Sequence, residues 1–203
     1  MRTLKRAFDL VFSLCAILFF LPFAIFIALL IKLSSSGPIF YSSRRVGKEG
    51  EPIDCWKFRT MCTDADERLE QILHENPKLQ QEWETYFKLK DDPRVSTIGK
   101  FLRKTSLDEL PQFWNVLRGD LSVVGPRPVT EEEVRKYFGE KASKILSIRP
   151  GLTGIWQVSG RNLLTFEERI KLEERYIDHQ SLTLDLMIIV KTIPMLFCAK
   201  GAF

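Results

Sequence analysis

A chain of 203 residues is long enough for one well-packed domain with a small appendage. Thirty lysines and arginines face 26 acids, and the resulting net charge of +4 is too even a balance to indicate nucleic acid as a partner. Only His74 and His179 are present, and Cys15, Cys55, Cys62 and Cys198 form no Cys-x-x-Cys pair, which argues against a zinc site, a Ser-His-Asp triad and a disulfide scaffold.

Arg2, Lys5 and Arg6 open the chain, and residues 10–31 then form 22 consecutive positions without a charge. A hydrocarbon core of ~30 Å takes roughly 20 helical residues, so this run is long enough to enter a bilayer. Pro22 interrupts it and is expected to kink the helix. Cations lie on both flanks, Arg44, Arg45 and Lys48 following the run, and the positive-inside tendency asks both ends to stay on one side. A helix broken at Pro22 that enters and leaves by the same face satisfies that demand. A conventional span with a tolerated proline is the other reading. The organisation expected is a membrane-anchoring segment over 1–36 and a catalytic domain over 37–203.

Ser34-Ser35-Ser36-Gly37-Pro38 punctuates the end of the membrane segment. Residues 38–41 and 53–58 read as short strands around a turn at 47–50. Lys57 and Arg59 alternate with aromatics and would share one strand face, as a solvated edge or as a phosphate clamp. Residues 63–89 are helical, broken near Asn76-Pro77, and a short helix follows over 98–104.

The stretch Thr105-Ser106-Leu107-Asp108-Glu109-Leu110-Pro111-Gln112 is the most informative in the chain. Ser106 with Glu109 three residues on has the form of a capping box. Leu107, Leu110, Trp114, Leu117 and Leu121 follow helical spacing toward a core, with Asp108, Gln112 and Asn115 on the opposite face. Asp108 is not needed for the cap. Nearby cations such as Arg103 would lower its pKa and keep it anionic, as a nucleophile or a magnesium ligand.

Prolines on both sides of Arg127 hold that residue extended, which suits a guanidinium to a diphosphate; an ordinary proline-rich connector is the plain alternative. Residues 131–144 form an amphipathic helix. Residues 155–162 read as strand or loop, with Trp156 and Arg161 as candidate lining of a cleft. Residues 165–179 form a charged helix. The apolar tail 182–197 carries Asp185, Lys191 and Pro194 and suits an interfacial helix better than a span, with a core helix as the alternative. No Gly-x-Gly-x-x-Gly or Walker loop is present, so nucleotide phosphates would be held by arginines, lysines and metal. The fold class expected is α+β, mostly helical, with a small β element and interfacial amphipathic helices.

Six boxes in order resemble the bacterial sugar transferases, the monotopic phosphoglycosyl transferases that load a polyprenyl phosphate. They are Lys5-Arg6-x-Phe8-Asp9 with Gly37-Pro38, Lys57-Phe58-Arg59-Thr60-Met61, the stretch from Thr105 to Gln112, Gly119-Asp120-Leu121-Ser122, Gly125-Pro126-Arg127-Pro128, and Pro150-Gly151-Leu152-Thr153-Gly154. The resemblance implies a monotopic protein of the bacterial inner membrane with its catalytic domain on the cytoplasmic face. It implies that Asp108 attacks the sugar-linked phosphate of a UDP-sugar, expels UMP, and passes the phosphosugar to undecaprenyl phosphate. Glu109 then completes a catalytic pair, and Mg2+ is implied near Asp108. Arg127 and Arg103, with Lys57, Arg59, Arg161 and Gln112, fall on substrate- or phosphate-contacting positions. The segment 156–162 and the long insert at 62–94 look like the branch moving a hexose 1-phosphate, galactose or glucose, into O-antigen, capsule or exopolysaccharide. Larger relatives of that branch carry extra membrane helices ahead of this unit. The chain is therefore read as a compact member or as the catalytic part of a longer one, with a homodimer admitted as its assembly. Two other classes of function compete: a membrane-surface scaffold holding anionic lipid, and a glycosyltransferase that releases UDP.

Overall fold

A computed structural model describes residues 2–86 and 89–197. Phe87 and Lys88 of the helical stretch 63–89, and Cys198 with the end of the domain 37–203, lie outside the described residues. The architecture is mostly helical with two small sheets.

Helix α1 (Arg2–Ser34) is one helix running through Pro22, which sits on its exposed side. By length and composition it is apolar enough to cross a membrane. One stripe, Asp9, Ser13, Ala16, Ile27 and Ile31, is buried against the domain, while Leu14, Leu18, Phe19, Phe23, Phe26 and Leu29 face outward. Both ends are fastened. At the start, the Asp9 carboxylate accepts from the Val123 N–H (3.1 Å) and the Ser122 hydroxyl (2.9 Å). Lys5 bridges Asp9 (3.0 Å) and Asp185 (2.9 Å), and Asp185 also accepts from the Tyr176 hydroxyl (2.7 Å). Asp9, Asp185 and Tyr176 are buried. Removing one partner of such a pair leaves an uncompensated charge, so Asp9→Ala is expected to lower stability by about 3–5 kcal/mol in a denaturation series in detergent. An unchanged midpoint would refute the docking role of Asp9.

Strands β1 (Phe40–Val46) and β2 (Pro52–Phe58) pair antiparallel, Phe40 opposite Phe58 and Val46 opposite Pro52. β1 starts later and runs further than the stretch 38–41, and so carries Arg44 and Arg45. Helices α2 (Ala65–Glu75) and α3 (Pro77–Tyr86) break at Asn76-Pro77 as expected. Helix α4 (Thr97–Thr105) is capped by the Ser96 hydroxyl, which accepts from the Gly99 N–H (2.9 Å). A Cβ on Gly99 would fall on the Thr60 carbonyl, so α4 can approach the end of β2 only with glycine there.

Helix α5 (Gln112–Arg118) follows a tight turn at Leu107–Glu109. The expected polarity holds for Leu107, Leu110 and Leu121, which pack on core clusters, but not for Trp114 or for the polar face. Asp108, Gln112 and Asn115 are buried, whereas Trp114 is 56% exposed. Leu107 and Leu110 pack against Ile27 and Ile31 of α1 together with Phe58 and Leu102. The leucines thus meet the membrane helix, Trp114 and Phe101 point outward, and the polar stripe turns into the domain.

Two short parallel strands, β3 (Ser122–Val124) and β4 (Gly151–Thr153), form the second sheet, which sequence patterning did not reveal. A Cβ on Gly151 would strike the Gly125 backbone, so glycine permits this contact. Val116, Leu121, Val123, Val124, Tyr176 and Ile188 form the main core, with Phe8 and Phe12 of α1 against it. Each aliphatic side chain removed from water there contributes roughly 1.5–3 kcal/mol. The amphipathic stretch 131–144 is not one helix. It divides into α6 (Glu131–Glu133), a π-type turn (Val134–Phe138) and α7 (Ala142–Ile145), because Gly139 takes φ 47° between them. Residues 155–162, expected as strand or loop, hold helix α8 (Ile155–Ser159). Helix α9 (Phe166–Asp178) starts at a capping box of Thr165 and Glu168. Helix α10 (Leu182–Phe197) combines both readings of the tail. Asp185 and Ile188 enter the core, while Leu186, Met187, Val190 and Ile193 are exposed along the other side.

Candidate active site

Ser106 decides how the acidic pair is presented. It adopts left-handed backbone angles (φ 56°, ψ 18°) at the end of α4, and its side chain makes no cap bond. The capping box with Glu109 therefore does not form. A non-glycine residue in this region is strained by roughly 1–2 kcal/mol, a feature that gathers where the fold must present a side chain. The chain reverses at Ser106 and swings Asp108 inward, 7% exposed, with Glu109 toward β2. There the Lys57 ammonium donates to Glu109 Oε1 at 2.6 Å.

The two neighbouring carboxylates are electrostatically distinct. Burial pushes Asp108 up to about 6, with Glu109 adding to the rise and Lys57 and Arg103 opposing it. The expectation that nearby cations hold Asp108 low is thus corrected: desolvation outweighs them. Burial acts on Glu109 in the same direction, but Lys57, then Arg127 and Arg161, outweigh it and hold Glu109 below the ordinary range. One carboxylate stays charged while the other titrates near neutrality, the division expected of a working acidic pair.

Asn115 fastens β2 to this turn. Its side chain accepts from the Trp56 N–H (3.0 Å) and donates to the Asp54 carbonyl (2.7 Å) and to Asp120 (2.9 Å). Lys57 is thereby carried at a fixed height beside Glu109.

Arg127 and Arg161 act on Glu109, and Arg45 and Arg169 gather around Arg127. Arg127 is exposed, its guanidinium 5.4 Å from the Trp156 ring centre, and Arg169 stacks on the same indole at 4.8 Å. Burial lowers the pKa of Arg45, Arg161 and Arg169, and in each case the charge of Arg127 is the next cause. Three guanidiniums within electrostatic reach of that of Arg127 make a site that gains from polyanion binding. Glu133, 4.0 Å from Arg45 and 3.6 Å from Arg169, offsets part of this charge.

Residues 1–199 match the model of the bacterial sugar transferase family. The chain belongs to this family. It is 44% identical over 199 residues to the exopolysaccharide production protein ExoY of Sinorhizobium fredii, covering 98% of this chain and 88% of that one. It is 41% identical over 202 residues to the undecaprenyl-phosphate galactose phosphotransferase of Salmonella typhimurium, and 38% identical over 209 residues to the UDP-glucose:undecaprenyl-phosphate glucose-1-phosphate transferase of Escherichia coli. It aligns over its full length with both but spans only 42% of theirs.

Not every candidate residue of this sugar transferase reaches the pair. Lys57 and Glu109 lie beside Asp108, and Arg127 and Arg161 reach the pair through Glu109. Arg103 is exposed, donates to the Thr60 hydroxyl (3.0 Å) and is close enough for its charge to act on Asp108. Gln112 is buried one turn after Asp108. Arg59 is elsewhere: buried, it donates to the Ser36 carbonyl (2.9 Å) and to the Ser35 carbonyl (3.0 Å) and hydroxyl (2.8 Å). Because β2 ends at Phe58, Arg59 leaves the strand alternation and grips the end of α1 instead of lining the cleft. Pro22 lies far along α1, in its exposed middle.

Arg45, Arg169 and Glu173 were not picked out as site residues. Their placement comes from contacts between distant segments, and Arg169 and Glu173 sit in a helix whose charges look like a solvated face.

Magnesium is normally held by one or two carboxylates and completed by water and substrate phosphates. The site fits that habit. Asp108 has no side-chain donor to its carboxylate among the described residues, its only carboxylate neighbour is Glu109, and the described residues contain no group of three His, Cys, Asp or Glu that would cage a metal alone.

Proposed function

We propose that the chain moves a hexose 1-phosphate from a UDP-sugar to undecaprenyl phosphate at the bacterial inner membrane. The observation that carries this reading is the buried Asp108, its carboxyl raised by desolvation, beside the Lys57–Glu109 pair, with Arg103 acting on Asp108 and Arg127 and Arg161 acting on Glu109. The relatives whose names specify undecaprenyl-phosphate galactose or glucose-1-phosphate transfer support the substrates, and the ExoY relatives support a place in exopolysaccharide synthesis.

In the first half-reaction a carboxylate oxygen of Asp108 attacks the sugar-linked phosphorus. The bond to the bridging oxygen of the diphosphate breaks, and UMP leaves with that oxygen. In the second, a phosphate oxygen of the lipid attacks the same phosphorus, the Asp108–phosphorus bond breaks, and the carboxylate is regenerated. Lys57 and Arg127 steady phosphate oxygens, and Glu109, held ionised by Lys57, keeps Lys57 in place. Mg2+ on Asp108, with Glu109 beside it, would neutralise phosphate charge as the bridging bond breaks.

The two fastened ends of α1 favour a monotopic attachment. Asp9 is bound to β3, and Ser35 and Ser36 are bound by Arg59, so one domain holds both flanks of the apolar run. We read α1 on this ground as entering and leaving the bilayer by one face, which would require the continuous helix to bend, with Pro22 as the place for it. The exposed rows on α10, with Trp114 and Phe101, would rest on the same surface. The cytoplasmic face is the side on which nucleotide sugars are available.

The test supplies UDP-galactose and UDP-glucose with magnesium to the detergent-solubilised protein. UMP release and a mass gain of one hexose phosphate on the intact protein, localised to Asp108 by peptide mapping, is the expected result. Release of UDP without mass gain would assign a direct glycosyltransferase instead.

A further inference from the structure

Arg127 stands between two prolines on a segment without regular structure, and an exposed arginine there needs something to hold its peptide. Both of its backbone groups are bound by one helix. The Arg127 N–H donates to Glu173 Oε1 at 3.2 Å, and the Arg127 carbonyl accepts from Arg169 Nη2 at 3.4 Å. Arg169 and Glu173 are four apart, on one face of α9, and are 5% and 1% exposed. Helical spacing therefore presents a buried donor and a buried acceptor to the two peptide units that flank the Arg127 Cα.

Neither side chain is fully used by other partners. Among the described residues Glu173 Oε2 and Arg169 Nε have no hydrogen-bond partner, and burial holds Glu173 up at about 7. Burying a carboxylate and a guanidinium this deeply is unfavourable unless they serve a geometric demand, and apolar residues of similar volume often do as well for stability alone. Arg169 also lies against the face of Trp156, the ring over which the Arg127 guanidinium is placed. The backbone and the side chain of Arg127 are thus set by the same pair of elements, α8 and α9.

The geometry points to Arg169 and Glu173 as positioning residues that clamp the Arg127 peptide, so that the guanidinium is pre-aimed at the phosphate of the bound substrate. This inference rests on the reading of Arg127 as a phosphate-holding residue. The clamp acts through Arg127 and touches no substrate.

A double-mutant cycle tests it on the full chain, with UDP-galactose and UDP-glucose as donors and UMP release as readout. Glu173→Leu removes the acceptor at similar volume and is expected to lower kcat/KM by about 10–100-fold, the range seen when the support of a working side chain is lost. Glu173→Gln keeps an acceptor oxygen and is expected to stay within about threefold of the parent. In an Arg127→Ala background, Glu173→Leu should change the residual rate by less than about twofold, because the group it supports is gone. Full additivity of the two losses, or a Glu173→Gln loss equal to that of Glu173→Leu, would overturn the clamp while leaving the proposed chemistry standing. Unchanged activity of Arg127→Ala alone would instead remove the phosphate-holding role of Arg127, and the clamp with it. Thermal unfolding of each variant separates a misfolded protein from a mis-aimed one.

Discussion

Asp108→Asn is expected to abolish UMP release and, in metal-free buffer at pH 7.5, to give a more stable protein than the parent. The first outcome follows from chemistry, since an amide oxygen is too weak a nucleophile to form the aspartyl phosphate. The second follows from linkage. The folded-state pKa of Asp108 lies near 6, above the ordinary 3.8, so its protonated form suits the fold better than its charged form. Its contribution is most favourable below pH 4 and is lost as pH rises through about 6. A shift of this size is on the order of 3 kcal/mol at pH 7.5, because one pKa unit is about 1.4 kcal/mol. The uncharged, nearly isosteric asparagine escapes that penalty. For a chain of this size the gain is a rise of roughly 5 °C or more in unfolding midpoint. The difference should shrink steadily as pH falls below 6 and vanish only near pH 3, where Asp108 is protonated in the folded and the unfolded chain alike.

Magnesium adds a separate readout. If Asp108 holds the ion, millimolar magnesium raises the midpoint of the parent and leaves that of Asp108→Asn unmoved. A variant that releases UMP at the parental rate, or that is less stable than the parent at pH 7.5, would refute this account of Asp108.

Much of this architecture is legible because local rules govern it. The membrane helix follows from an uncharged run, the break between α2 and α3 from Asn76-Pro77, and the start of α9 from Thr165 and Glu168. The acidic pair was visible by position, but its presentation was not. Ser106 looks like the N-cap of a following helix and is instead the left-handed C-cap of α4, its N–H bound to the Leu102 and Arg103 carbonyls. The apolar stripe after it reads as facing the core, and Leu121 does so, but Leu107 and Leu110 pack on α1 and Trp114 is exposed. Asp108, Gln112 and Asn115 take the interior on the other side. Lys57 and Arg59 look equivalent at a spacing of two, yet one faces the site and the other the membrane linker, since the strand stops between them. The roles of Arg45, Arg169 and Glu173 arise from contacts across more than 40 residues, which no local pattern encodes.

Lys57 is where charge and geometry can be separated, and Lys57→Met separates them. Methionine keeps most of the stem and removes the ammonium. Lys57 is the leading cation acting on both Asp108 and Glu109. Without it, Glu109 loses its 2.6 Å partner and Asp108 loses its main counterweight to burial. Loss of an opposite charge at this range moves a carboxyl by about 1–3 units. The acid limb of kcat/KM, expected near pH 6 in the parent, should therefore move upward by about one unit or more, and activity lost at pH 7 should partly return by pH 8.5. Lys57→Arg keeps the charge and should keep the limb in place. If Lys57 served only to hold substrate phosphate, Lys57→Met would lower activity equally at every pH and the limb would not move. A parallel drop across the profile would assign Lys57 to substrate binding alone and leave Asp108 to be tuned by burial, Glu109 and Arg103.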